Sequence, residues 1–337
     1  MAAVSMALVG SLLGAEVVLR VLGLGSPIDG NDVVQSWEPA DIFQSDADPE
    51  IGFRLKQGYV GTQTYRGKLD GDVVLAPVTR VDADGFRLES TRTAGKLVLA
   101  VGDSTTFGVG VTDGQSWPGA LERRLPTAFR VRNAGVPGRN LPQSQRWITT
   151  HAAAFSPAVV LLAFYLNDLL PAVDVAGDVS ARTMPAPVWA TREAGVRRWS
   201  RIVNLGWRSW ERRRLARAVG GGTLEYIDEI NRRARSEDIH RDFERFRRAC
   251  HGMRAKGAIV LLPVLDVSDP RAADPILQLA AEVAGILDIP VIAAQHALDQ
   301  MDIPDRIVLP AERHASAAGN EAIAAVIDRE GARLKLW

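Results

Sequence analysis

Four short stretches of the chain hold residue types that suit a single reaction. The first, "VLAVGDSTTFGVGV" (98–111), is an apolar run that stops at Gly102-Asp103-Ser104 and then turns glycine-rich. The others are Asn133-Ala134-Gly135-Val136-Pro137-Gly138, the Asn167-Asp168 of "FYLND", and His314 in "LPAERHASAAGN". Together they offer a hydroxyl, a backbone amide on a glycine turn, a carboxamide and an imidazole. A serine hydroxyl is a poor nucleophile alone, so acyl transfer requires a base within hydrogen-bond reach and donors aimed at the oxyanion that forms. His314 is the candidate base, and the amides of Ser104 and Gly135 with the Asn167 side chain are the candidate donors. Gly135 suits that role because a residue without Cβ lets its N–H approach a ligand closely.

These residues need a scaffold that gathers them. From Lys96 onward the sequence alternates short Val/Ile/Leu runs with helical patterns: "KLVLAVG" (96–102), "FRVRNAG" (129–135), "AVVLLAFYLND" (158–168), "GAIVLLPVLD" (257–266) and "IPVIAA" (289–294). Helix candidates include "SWPGALERRL", with Ser116 as N-cap, and "GNEAIAAVIDREGARL". Near-continuous apolar strands alternating with helices require a parallel sheet covered on both faces. The expected core is therefore an α/β doubly wound domain. Ligands of such sheets bind beyond the carboxyl ends of the strands, where all four stretches fall.

The chain divides in sequence into a hydrophobic N-terminus (1–24), a Gly/Asp/Thr-rich extension with short β patterns (25–95) and the main domain (96–337). The main domain is interrupted at about 171–240 by an insertion too long for an ordinary crossover. Its middle carries nine arginines with Trp199, Trp207 and Trp210. A helix of that composition suits a membrane interface or an anionic glycan, or is a solvated helix whose tryptophans pack on the main domain.

The motifs "GDSTTFG", "NAGVPG", the "ND" of "FYLND" and "ERHASAAGN", in this order, resemble the conserved blocks of the SGNH hydrolases, also called the GDSL family, over roughly residues 96–330. The resemblance implies a flavodoxin-like, three-layer α/β/α fold with no cofactor. It also implies Ser104 as nucleophile, His314 as general base, and Ser104 N–H, Gly135 N–H and the Asn167 carboxamide as the oxyanion hole. The N-terminal stretch with "GFRL" and "DGFRLES" is also similar to membrane-anchored bacterial members, some resembling polysaccharide O-acetylation proteins. Two positions depart from the family pattern. Tyr165 stands where Gly-x-Asn-Asp has glycine, and Ala311 stands where an Asp usually precedes the histidine by three residues. The triad acid is then Glu312, with a Ser-His dyad aided by a backbone carbonyl, or Asp305, as the alternatives.

Other chemistries are excluded or disfavoured. Forty basic and forty acidic residues cancel, leaving no global field to attract nucleic acid. The single Cys250 forbids an internal disulfide and sits at core spacing in a helical pattern, and His151, His240, His251, His296 and His314 are scattered without metal-ligand spacing. Asp103 and Asp168 suit hydrogen-bonded loop positions better than metal ligation. The glycines after Ser104 match neither a P-loop nor a dinucleotide fingerprint.

Residues 1–24 form an apolar stretch interrupted by Glu16 and Arg20. As a helix it would run about 36 Å, against a hydrocarbon core of roughly 30 Å. A membrane anchor is expected, with a cleaved signal peptide and a buried helix as alternatives, and the catalytic domain is expected outside the cytoplasm. The expected activity is a serine esterase acting on an acyl ester, with acetyl as the expected group, of a carbohydrate or small molecule through an acyl-Ser104 intermediate. An O-acyltransferase using the same site and a noncatalytic glycan-binding envelope subunit are the competing readings.

Overall fold

The computed structural model describes residues 2–22, 24, 33–67, 71–89, 92–169, 199–218, 236–265, 273–309 and 312–337. In chain order its elements begin with helix α1 (Ala2–Val21) and the short strands β1 (Val33–Glu38), β2 (Phe43–Ser45), β3 (Phe53–Leu55), β4 (Val60–Gly67), β5 (Val73–Leu75) and β6 (Val78–Arg80). Then come β7 (Lys96–Gly102), α2 (Ser104–Phe107), α3 (Trp117–Arg124), β8 (Phe129–Gly135), α4 (Leu141–His151) and β9 (Val159–Phe164). The rest are α5 (Arg201–Ala218), α6 (Ser236–Met253), β10 (Lys256–Leu261), α7 (Asp274–Ile286), β11 (Val291–Ala293), α8 (Ile303–Arg306), β12 (Ile307–Leu309), β13 (Glu312–Ala315) and α9 (Ala317–Arg333). Contacts divide the chain into two compact units, one of Met1–Ser36, Thr64–Ala76 and Arg182–Gly222, the other of Trp37–Gln63, Pro77–Ala181 and Thr223–Trp337.

In the first unit the Glu16 carboxylate of α1 caps the start of α5. It accepts the amides of Arg201 at 2.9 Å and Ile202 at 3.2 Å and the Ser200 hydroxyl at 3.1 Å. An acid at a helix N-terminus satisfies otherwise orphaned N–H groups. The Arg201 amide, helped by Ile202, Arg20 and Ser200, holds the Glu16 carboxyl down at about 2. Arg20 completes the link, bonding Glu16 at 3.0 Å and the Trp199 carbonyl at 2.6 Å. Among the described residues no helix is long and apolar enough to cross a membrane. The expected span over 1–24 therefore finds no support, and both charges that interrupt the apolar run are engaged with the beginning of α5. Of the insertion expected at about 171–240, residues 171–198 and 219–235 lie outside the described residues.

The second unit is built on five parallel strands in the order β11-β10-β9-β7-β8. That order is flavodoxin-like. After β8 the chain returns past β7 to place β9 on its other side, so the direction of winding reverses between β7 and β9. All six residues of β9 are buried, and β7 is buried after its first residue. Both need cover on each face. Helix α3 packs against α9, while α4 and α7 pack against α6, supplying the two helical layers. Side-chain caps start these helices: Ser116 for α3, Asn140 with Gln143 in a capping box for α4, and Ser316 for α9. On α6 the buried residues Ile239, Phe243, Phe246 and Cys250 recur at helical spacing, and burial pushes the Cys250 thiol up to about 12.

β7 and β8 coincide with their sequence runs, whereas the other three strands are shorter. β9 stops at Phe164 because the Tyr165 amide turns to the Asp168 carboxylate at 2.7 Å, opening a 3₁₀ turn over Leu166–Leu169. β10 ends two residues before Pro263, which has no N–H for the ladder, and β11 starts just after Pro290. Beyond β11 the chain forms an antiparallel hairpin of β12 and β13 rather than a plain loop. Around the sheet's edge, residues of the extension make a second core of Ile42, Phe53, Leu55, Tyr59 and Val81 packed on Phe107, Val109 and Val136.

Candidate active site

Ser104 is the first residue of α2, directly beyond the carboxyl end of β7. Four residues are too few for a helix to hold itself, since nucleation outweighs the few bonds formed. Side chains from elsewhere make up the difference. Asp103 caps the N-terminus, its Oδ1 accepting the Thr105 amide at 2.9 Å. At the other end Asn133, fully buried on β8, donates from Nδ2 to the carbonyls of Thr106 at 2.9 Å and Phe107 at 3.2 Å. Arg87, 1 % exposed, donates to the Phe107 carbonyl at 2.5 Å and also to those of Gly108 and Val111. Its guanidinium lies 4.6 Å from the centre of the Phe107 ring. Glu89 joins both partners: its Oε1 accepts Asn133 Nδ2 at 2.6 Å and lies 3.6 Å from Arg87 Nε. It also takes the Ser116 hydroxyl at 2.5 Å and the Gly114 amide at 2.8 Å. Burial pushes the Glu89 carboxyl up, while Arg87 and these three donors pull it down.

The candidate base lies on β13. Successive side chains of a strand alternate faces, so residues two apart point the same way. Glu312 and His314 have that spacing. His314 Nε2 lies 2.8 Å from Ser104 Oγ, and the Glu312 carboxylate contacts His314 Nδ1. A carboxylate at Nδ1 keeps the proton on that nitrogen and leaves Nε2 free to accept from a hydroxyl. The extra methylene of Glu relative to Asp is accommodated by the two-residue offset along the strand. Asp305 does not join this group: it is exposed on α8, and its backbone carbonyl accepts the Ser316 hydroxyl. Ala311 lies outside the described residues.

The candidate donors are placed differently from one another. Ser104 N–H makes no hydrogen bond among the described residues and lies in the first turn of α2, where helix amides are left over. Gly135 is a correction. Its N–H is already used, donating to Asn133 Oδ1 at 2.9 Å, and a Cβ there would meet the Phe107 amide nitrogen at 2.3 Å. The residue is glycine so that α2 can lie against β8. Gly138 is the free amide of that loop. Val136-Pro137-Gly138-Arg139 is a turn closed by Arg139 N–H to the Val136 carbonyl at 3.1 Å, with Gly138 at φ 87°. Proline second and glycine third are the sequence mark of a type II turn. Its own bond leaves the Gly138 N–H unused among the described residues, and Gly138 is exposed.

Asn167 sits in the 3₁₀ turn after β9, and Asp168 anchors that turn. Asp168 is 2 % exposed with its Oδ1 unpartnered among the described residues, and burial, reinforced by the negative charge of Asp103, pushes its carboxyl well above the usual Asp range. Tyr165, 7 % exposed, is part of the core, and its hydroxyl lies 3.4 Å from the Leu265 amide nitrogen. Sequence reasoning missed Arg87, Glu89 and Gly138. Only Gly138 carried a local signal, the Pro-Gly pair.

Two outcomes are expected. Gly135→Ala forces a methyl against the α2 backbone and should cost at least the roughly 1–3 kcal/mol typical of overpacking, read by urea unfolding; wild-type stability would show that α2 does not press on β8 there. For Asp168, a folded pKa raised above the ordinary 3.8 means stability is full below that value and falls as pH rises toward the folded pKa. Asp168→Asn has no such loss, so its unfolding temperature relative to the native protein should climb as pH rises above 3.8. A difference that does not change with pH would mean that Asp168 is ionised in the fold.

Residues 100–333 match the model of the GDSL-like lipase/acylhydrolase family, more than half of the chain. Similar solved structures include a lipase/acylhydrolase from Enterococcus faecalis at 16% identity, covering 70% of this chain and 95% of that one, with a TM-score of 0.43. A carbohydrate acetylesterase family member from Sinorhizobium meliloti is 14% identical, with 72% and 99% covered and a TM-score of 0.43. A member of the lipolytic protein G-D-S-L family from Veillonella parvula is 16% identical, with 69% and 96% covered and a TM-score of 0.38. No curated protein matches the sequence. With a parallel α/β/α core and a family match spanning that core, the chain belongs to the GDSL-like lipase/acylhydrolase family and is a hydrolase acting on ester bonds.

Proposed function

We propose that the protein is a serine esterase that cleaves an acyl ester of a carbohydrate or small molecule through an acyl-Ser104 intermediate. The observation that carries this reading is the imidazole of His314, with Nε2 2.8 Å from Ser104 Oγ and Nδ1 on the Glu312 carboxylate. His314 takes the hydroxyl proton as Ser104 Oγ bonds to the ester carbonyl carbon. The carbonyl oxygen gains the negative charge, and Glu312 stabilises the imidazolium. Collapse of the tetrahedral intermediate breaks the ester C–O bond, and the leaving alkoxide receives the proton from His314. Water, deprotonated in turn by His314, attacks the acyl carbon; the acyl C–Oγ bond breaks, Ser104 Oγ takes the proton back from His314, and the acid leaves.

The oxyanion is assigned to the Ser104 amide, the Gly138 amide and the Asn167 carboxamide. Gly138 replaces Gly135 in this set because the Gly135 N–H is bonded to Asn133. Small acetyl esters of sugars and of simple alcohols are the first substrates to try.

A fluorophosphonate probe tests the nucleophile. The native protein should label, and Ser104→Ala and His314→Ala should not; a native protein that stays unlabelled where a control hydrolase reacts would remove the catalytic reading. On an ester that is turned over, Glu312→Gln should lower kcat by up to about 10⁴-fold, as expected when the partner holding the imidazole tautomer is lost. Asn167→Ala should lower kcat by on the order of 10²- to 10³-fold with KM little changed. Unchanged turnover in either variant removes that residue from its assigned role.

A further inference from the structure

We propose that Arg87 is a positioning residue for the nucleophile, holding Ser104 in register with His314 from the far end of α2. The inference rests on Ser104 being the nucleophile. It starts from a shortfall of hydrogen bonds: a helix of four residues leaves its last carbonyls without intrahelical partners. At α2 those carbonyls are met from outside the helix by side chains. Asn133 takes Thr106 and Phe107, and Arg87 takes Phe107, Gly108 and Val111. One planar guanidinium thus binds the last residue of α2, its cap and the loop after it. No shorter or singly pointed cation reaches three carbonyls in this way.

Arg87 is itself fixed. Its side chain has no exposed surface and lies against Glu89 at 3.6 Å and Asp113 at 3.8 Å. Its amide bonds the Asn133 carbonyl at 3.1 Å, tying the segment to β8. A buried guanidinium is costly unless its charge and donors are matched; here Glu89 and Asp113 match the charge, and the carbonyls at and beyond the end of α2 take the donors. At about 1.5 Å per residue, α2 is only about 6 Å long, so a shift at its carboxyl end is passed to Ser104 almost undiminished. His314 and Glu312 sit together on β13, outside α2, so neither follows such a shift of Ser104. A displacement near 1 Å of reacting groups costs about 10²-fold in rate. The same arrangement accounts for the "DGFRLES" stretch, whose arginine and glutamate are far from the site in sequence.

The test compares native protein, Arg87→Lys and Arg87→Gly by rate of fluorophosphonate labelling, with Ser104→Ala as the blank and thermal unfolding as the measure of folded fraction. Arg87→Lys keeps the charge and loses the fork. It should label on the order of 10²-fold more slowly when fully folded, with the pH midpoint of labelling unchanged, because the His314–Glu312 pair is untouched. Arg87→Gly should regain labelling when guanidinium is added at concentrations that do not unfold the native protein. Native-rate labelling of folded Arg87→Lys overturns the proposal, as does a loss that only follows the fraction unfolded. A folded Arg87→Gly that guanidinium does not rescue overturns it too. If Arg87→Gly does not fold, Arg87→Lys decides alone. A native protein that fails to label indicts the nucleophile assignment instead.

Discussion

Parallel pairing puts every carboxyl end of the sheet on one edge, and the rest of the site depends on that polarity together with the reversal of strand order between β7 and β9. Loops from neighbouring strands normally wind away in one direction. At a reversal they part, leaving a crevice into which side chains from both can project. Ser104 follows β7 and Asn167 follows β9, so the reversal falls between the two. The strand on the other side of β7, β8, delivers Asn133 beneath α2 and Gly138 in the loop above. The ladder register sets where each loop begins, and bonds within the loops, Tyr165 N–H to Asp168 and Arg139 N–H to the Val136 carbonyl, set the rest.

Much of that scaffold can be seen in the residues. Lys96–Gly102 and Phe129–Gly135 announce their strands by apolar runs ending in glycine, and Ser116 and Ser316 mark the helices they cap. The end of β9 could not be read. "FYLND" continues the apolar run, and only the capture of the Tyr165 amide by Asp168 shows that the strand has already turned. The prolines near β10 and β11 were visible, but how far a short apolar run pairs before a proline depends on its neighbours.

The site was partly legible for a similar reason. Ser104 and His314 stand out because hydroxyl and imidazole flank distinctive turns. Choosing between Gly135 and Gly138 requires knowing which N–H is already bonded, a property of the fold and not of the motif. Arg87 and Glu89 resemble ordinary surface charges in a polar stretch, and nothing local marks them as buried. They become intelligible only when β8 and α2 are seen to close over them. Charged residues can be placed inside a core only as a matched set, and the members of this set come from four separate stretches of chain.

The strand that holds Glu312 and His314 has a consequence for how the site can fail or change. Acid and imidazole are two positions apart on one rigid ribbon, so their mutual geometry belongs to three consecutive residues. Moving the hairpin as a body would separate the imidazole from the hydroxyl while leaving its contact with Glu312 intact. Inserting or deleting one residue between the two would send them to opposite faces and abolish the pair outright. The proposed base and its carboxylate are in this sense a self-contained cassette, tolerant of travel and intolerant of a change in length.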